Sequence, residues 1–221
     1  MNNILYLPVS IGEAIDKLTI LDIKCYKITD NRKNDVKKEY ELLYDKLKDF
    51  VVKYQNLYET MKKVNLLIWD MMDSLRDGDL NEHLYLQICK ECIEYNDIRF
   101  RVKNKINSIS ESFLKEQKSY KINRLIIKIE KEITENHLYY LLLLNIVKYF
   151  SFIYDEIIIE SDYHLDFLKK EFYYDQTILF VSNTDVSIDY KCKVIFEDKE
   201  YTNEEIYNLF NITENEIKKI C

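Results

Sequence analysis

Two glycines and one proline in 221 residues leave few places where a helix can be broken. The proline is Pro8 and the glycines are Gly12 and Gly78, so long helices joined by short polar turns are the favoured design. The apolar spacing agrees with this. Ser10 followed by Glu13 is a capping box after an extended lead-in, and Ile11, Ile15, Leu18, Leu21, Cys25 and Ile28 form one stripe behind it. Polar residues from Asp30 to Lys33 end that helix. A second is expected over about 35–58, with Tyr40, Leu43, Leu47, Phe50 and Tyr54 inward, paired to the first as an antiparallel hairpin. A third covers about 58–76, with Val64, Ile68, Met71 and Leu75 on one side, and Asp77-Gly78-Asp79 stops it. A fourth covers about 82–113 on the stripe Ile88, Cys92, Tyr95, Val102, Ile106, Ile109 and Phe113.

Three polar stretches fall where such a bundle should be apolar. They are Glu13-x-x-Asp16-Lys17, then Trp69, Asp73 and Arg76, then Asn96, Asp97, Arg99, Lys103 and Asn107. Charge inside a bundle is costly unless it is paired or used. Arg99 lies within the apolar stripe of its helix, and Asn65 stands beside the Trp69 group. If Asp16, Lys17, Arg76, Arg99 and Lys103 meet between helices, they suit a phosphate, a carboxylate or a sugar phosphate, with arginine as the bidentate element. Trp69 would then supply an apolar wall, and Asn96 and Asn107 would orient hydroxyls. The alternative is an internal salt-bridge network that fixes helix register. Glu13 has a capping role, and Glu13–Lys17 at i,i+4 is also readable as a surface ion pair.

The net charge of −7 argues against a nucleic-acid partner, and Arg101 and Lys105 read as a solvated helix surface. Five cysteines without a signal peptide point to reduced thiols and a cytoplasmic location, that of the host if the source is viral. Cys89-x-x-Cys92 has no second cysteine pair and no histidine at ligand spacing, so it reads as packing and no metal is expected. The apolar run Leu138–Ile153 is too short to span a membrane and is broken by Asn145 and Lys148, so it reads as a buried core helix. No Ser-His-Asp set is present, and His83, His137 and His164 lie outside the motifs. The sequence names no cofactor and no catalytic residue.

After Tyr120 the pattern changes. Arg124–Ile129, Glu156–Glu160, Thr177–Ser182 and Tyr190–Phe196 read as strands. Helices are expected over 137–150 and 163–172, and two short ones open at the capping boxes Thr202–Glu205 and Thr213–Glu216. This alternation predicts a mostly parallel sheet. The fold class is therefore α plus α/β: an antiparallel helical bundle over 1–120, then a small α/β domain over 121–221.

The first half resembles a bacterial and viral family of uncharacterised proteins, a domain of unknown function. The residues that carry the likeness are Ser10-Ile11-Gly12-Glu13, Asp16-Lys17-Leu18, Ile20 to Lys24, Asp30 to Lys33, Trp69, Asp73, Arg76, Asn96-Asp97-Ile98-Arg99, Lys103, Ile106-Asn107 and Glu116 to Tyr120. They span roughly residues 8–120. The family usually has Leu where this chain has Ile68. The resemblance implies no established activity, but it implies a setting among surface-polysaccharide and glycosyltransferase genes. The second half resembles the first half of a nucleotide-sugar glycosyltransferase domain. It departs where a glycine loop should follow the first strand: that place holds Lys131-Glu132-Ile133-Thr134-Glu135-Asn136, whose acidic groups would repel a diphosphate.

Two functional expectations follow. One is a glycan-synthesis protein whose helical domain binds a small anionic ligand such as a sugar phosphate or nucleotide sugar. The other is a non-enzymatic module that docks a glycosyltransferase or self-associates, its polar stripes being purely structural.

Overall fold

The computed structural model describes residues 5–119, 121–133, 138–182 and 192–196. The chain divides into two compact units, Met1–Gln117 and Lys118–Cys221. The first is helical and the second is α/β, as the patterning predicts.

In the first unit, α1 (Ile11–Lys27) touches each of the other three helices, α2 (Arg32–Lys53), α3 (Gln55–Asp77) and α4 (Glu82–Ile109). Its central place explains why Ile15, Leu18, Leu21 and Ile23 are all buried, since one apolar face would not suffice for three neighbours. Ile15, Leu18, Met61 and Ile106 are fully enclosed, and each such side chain contributes about 1.5–3 kcal/mol of burial. By contrast α2 buries only Leu47. It stands at the edge of the unit and is held mainly through α1.

Four helix ends differ from the sequence expectation. α2 begins at Arg32, because the Asp30 carboxylate accepts the Arg32 backbone N–H at 2.9 Å and starts the helix early. That carboxyl is held low, at about 2, by its bonds to the Arg32 side chain and backbone. α2 ends at Lys53 and α3 starts at Gln55, with only Tyr54 (φ −123°, ψ 44°) out of helix between them. Neither Gly nor Pro marks that break, and Tyr58 falls inside α3. α4 ends at Ile109, four residues short of Phe113. There Glu111 takes a left-handed φ of 51°, and the Ser112 N–H reaches back to the Asn107 carbonyl at 2.9 Å, a glycine-type helix stop made without glycine. Phe113, expected in the core stripe, is consequently 97% exposed.

Gly12 is where α1 comes closest to α4. A Cβ built there would lie 2.5 Å from the Lys103 carbonyl oxygen and 2.9 Å from Asn107 Oδ1. No rotamer relieves contact with a backbone carbonyl, so the two helices touch at this depth only because the side chain is absent.

In the second unit, β1 (Arg124–Ile129), β2 (Glu156–Ser161), β3 (Ile178–Val181) and β4 (Cys192–Phe196) form one parallel sheet in the order β3-β2-β1-β4. The helix α5 (Leu138–Ile153) joins β1 to β2, and α6 (Asp166–Glu171) joins β2 to β3. Leu125, Ile127, Ile129, Ile157 and Ile159 make one sheet face and cluster with Leu142, Leu143 and Val147 of α5 and Phe167 and Leu168 of α6. Ile126 and Ile158 on the opposite face are buried as well. Burial on both faces is why these strands read as unbroken isoleucine runs rather than as alternation. No described helix is long and apolar enough to cross a membrane, which agrees with reading α5 as a core helix. The capping boxes at Thr202 and Thr213 lie outside the described residues.

Gly12→Ala tests the close approach. Helix propensity alone would favour alanine by about 1 kcal/mol. The clash with the Lys103 carbonyl should reverse the sign and leave the variant less stable by about 1–3 kcal/mol. Urea unfolding measures this, and a neutral or stabilising result would mean that the α1–α4 contact is looser than described.

Candidate functional site

The polar stripes of α1 and α4 face each other. Arg99 grips Asp16 with two parallel bonds, Nε to Oδ1 at 2.8 Å and Nη2 to Oδ2 at 2.6 Å. Asn65 of α3 donates from Nδ2 to the same Oδ1 at 2.8 Å and to Thr19 Oγ1 at 2.9 Å, while Thr19 donates to the Asp16 carbonyl at 2.8 Å. Asp16 is buried, and its two carboxylate oxygens accept three hydrogen bonds. Bonding to Asp16 raises the Arg99 pKa against the opposing effect of burial.

One turn along α4, the Lys103 ammonium bonds Glu13 at 3.1 Å and also pairs with Glu116. Burial pulls the Lys103 pKa down, but the bonds to Glu116 and Glu13 outweigh it and hold it above 10.5. One turn further, Asn107 Oδ1 accepts the Gly12 N–H at 2.7 Å, and its Nδ2 is buried with no partner. Ser112 Oγ accepts the Ile11 N–H at 3.2 Å and Ser10 Oγ accepts that of Glu13 at 3.1 Å. The Ala14 N–H bonds the Ser10 carbonyl. All four N–H groups of the first turn of α1 are therefore satisfied within the chain, and this helix end has no donors left for an anion.

Of the nine expected site residues, the structure brings together Asp16, Arg99, Lys103 and Asn107. Lys17 does not join them: it points out and pairs with Glu39 of α2 at 2.6 Å, not with Glu13, whose carboxylate goes to Lys103 in place of the return half of a capping box. Asp73 and Arg76 pair with each other at 3.2 Å on exposed α3, eight residues beyond Asn65 and so about 12 Å along the axis. Asn96 turns back to the Cys92 carbonyl of its own helix at 2.9 Å. Trp69 is half-buried one turn past Asn65, and among the described residues no hydrogen bond joins it to the cluster. Each of these shares a helix with a true member but sits at an angle or depth that leads elsewhere.

Arg101 and Lys105, expected on a solvated surface, are 7% and 4% exposed. The second half of α4 is enclosed on nearly all sides, so residues that a one-sided helix would turn to water are inside. Cys92 packs in the core with its sulfur 3.7 Å from that of Met72.

Sequence reasoning missed a second polar cluster. Tyr58 donates to Asp22 Oδ2 at 3.0 Å, Lys62 pairs with the same oxygen at 2.7 Å, and Tyr40 bonds Tyr58. Burial, then the charge of Asp22, pushes the Tyr58 phenol far up. This cluster ties α1, α2 and α3 together. Asn65, expected beside the Trp69 group and not among the site residues, is instead buried and bonded to Asp16.

Two predictions test the network. Arg99→Ala leaves the Asp16 carboxylate buried without a cation and should cost about 3–5 kcal/mol. Adding Asp16→Ala should recover part of that loss, and a double-mutant cycle in urea measures the coupling. Additive losses would mean that the pair does not act as a unit. Lys103 has a raised folded pKa, so its contribution is complete below pH 10.5 and is lost as pH rises through the folded value. The stability gap between the parent and Lys103→Met should thus be flat up to about pH 10 and close above it; a gap that closes on acidification instead would point to the carboxylates.

No curated protein and no solved structure matches the chain. A family of unknown function, DUF6165, matches residues 5–130. That is more than half of the 221 residues, and it takes in all of α1–α4, the whole Asp16–Arg99–Lys103–Asn107 network and β1. The chain belongs to this family, as the motifs of its first half led us to expect.

Proposed function

We propose that the helical unit is a non-enzymatic interaction module and that its polar stripe is a lock between α1, α3 and α4. One observation carries this reading: the two cations that the structure brings to the cluster from the expected set, Arg99 and Lys103, are both already paired, Arg99 with Asp16 and Lys103 with Glu13 and Glu116. Cations already held by carboxylates of the chain are poor hosts for a phosphate or carboxylate. The other two expected cations, Lys17 and Arg76, are engaged elsewhere. Meanwhile Leu86 and Ile93 are 51% and 65% exposed on α4. They stand seven residues apart and so share a face, with Tyr85 exposed beside it. The family resemblance supports a setting in glycan synthesis, and the tyrosine-rich helices suit a glycosyltransferase or a second copy as the partner.

A second reading rests on Arg99 itself. Its side chain is 27% exposed, and among the described residues Nη1 makes no hydrogen bond. Held rigid by Asp16, that free edge suits one carboxylate or phosphate oxygen.

One pair of measurements separates the readings. Ile93→Asp with Leu86→Asp should stay folded and abolish association seen by light scattering or native pull-down. A strictly monomeric parent that recovers no partner sinks the module. In a thermal-shift screen of sugar phosphates and sugar nucleotides, a ligand at about 100 times its Kd would add about 2.7 kcal/mol. The module reading expects no such shift. A shift that disappears in Arg99→Lys, which keeps the charge and loses the fork, would establish the second reading.

A further inference from the structure

The carboxyl ends of β2 and β3 enclose a pocket of about 160 Å³ in the α/β unit. Its floor is Ile159 and Leu165, both buried in the core of the unit. Phe180 forms a wall, placed beside Ile159 by the parallel register of β3 on β2. Tyr163, from the connection between β2 and α6, lines it as well. The polar groups of the lining include Ser161 at the end of β2, Ser182 just past β3 and Lys169 on α6, whose ammonium stands 5.8 Å from the Phe180 ring centroid.

The chemistry of this lining selects a class of ligand. An apolar floor beside an aromatic ring suits a flat ring. A hydroxyl and an ammonium at the rim offer donors to ring nitrogens or carbonyl oxygens. Lys169 is the single cation of the lining, and no glycine is present anywhere after Gly78, so among the described residues nothing is built to surround a diphosphate. The volume is below the roughly 300 Å³ at which pockets for larger ligands begin, so it admits one ring system and leaves any attached sugar outside. Its position obeys the general rule that open parallel sheets bind ligands beyond the carboxyl ends of their strands. It lies away from the point where the strand order reverses, between β1 and β4.

We infer that the α/β unit binds a nucleoside, with its base in the pocket between Phe180 and the Ile159–Leu165 floor and with no polyphosphate site among the described residues. This assignment is independent of the module reading, because it concerns the other unit.

Isothermal titration of the full chain with adenosine, guanosine, cytidine and uridine tests it, with inorganic pyrophosphate as the control. At least one nucleoside should bind saturably and pyrophosphate should not. Phe180→Leu, which keeps most of the apolar volume and removes the ring face, should weaken binding about tenfold or more, the scale on which a lost base–aromatic stack acts. Lys169→Ala, at an exposed position, should weaken it without changing the melting temperature, and it keeps the test decisive if Phe180→Leu fails to fold. No saturable binding of any of the four, binding unchanged in Lys169→Ala and in folded Phe180→Leu, or pyrophosphate binding as tight as the nucleoside would each overturn the proposal.

Discussion

A carboxylate buried at the meeting point of three helices governs the arrangement of the helical unit. Removing Asp16 from water costs several kcal/mol, and only near-ideal bonding offsets that cost. Arg99 supplies a planar fork at 2.8 and 2.6 Å and Asn65 supplies a third donor. Those partners come from α4 and α3, so α1 can be placed in only one rotation and one axial position that satisfies all of them. Buried ion pairs contribute little net stability compared with apolar packing, and their best-attested use is to specify register. Gly12 permits that use. Without its close approach to the Lys103 carbonyl, α4 would stand further off and the fork could not close on Asp16.

The same contacts argue about function. A helix N-terminus lined by Ser10, Asn107 and Ser112 looks like an anion site until its donors are followed one by one, and each already has an acceptor in the chain. Lys103 looks like a ligand-binding lysine until its two carboxylates are found. Polar residues placed at this depth therefore close the bundle rather than open it. The pocket of the α/β unit is the opposite case, with apolar surface left uncovered beside a ring and polar groups at the rim.

Much of the architecture was legible without coordinates. β1 was readable to the residue as Arg124–Ile129, because a β-branched run flanked by polar residues has one natural register. The start of α1 at Ser10 was legible because a capping serine acts locally. Helix ends set by tertiary or backbone-specific chemistry were not legible. The Tyr54 break has no glycine or proline to announce it, and the Glu111 left-handed stop removes Phe113 from a stripe that its spacing had included.

The candidate site divides along the same line. Periodicity by itself determined that Asp16, Arg99, Lys103 and Asn107 lie on inward or edge positions, because 3.6 residues per turn fix the angle of each side chain about its own axis. It also determined four helices followed by a parallel sheet, because strand and helix alternate at fixed spacing. Periodicity says nothing about which inward faces meet, at what depth, or how far along. Those are relations between helices, and they decided that Lys17 reaches Glu39, that Asp73 keeps Arg76 for itself, and that Arg101 and Lys105 are buried. The pairing of Arg99 and Lys103 with carboxylates, on which the functional reading turns, is a property of that meeting, because Lys103 and Glu13 come from segments some ninety residues apart in the chain.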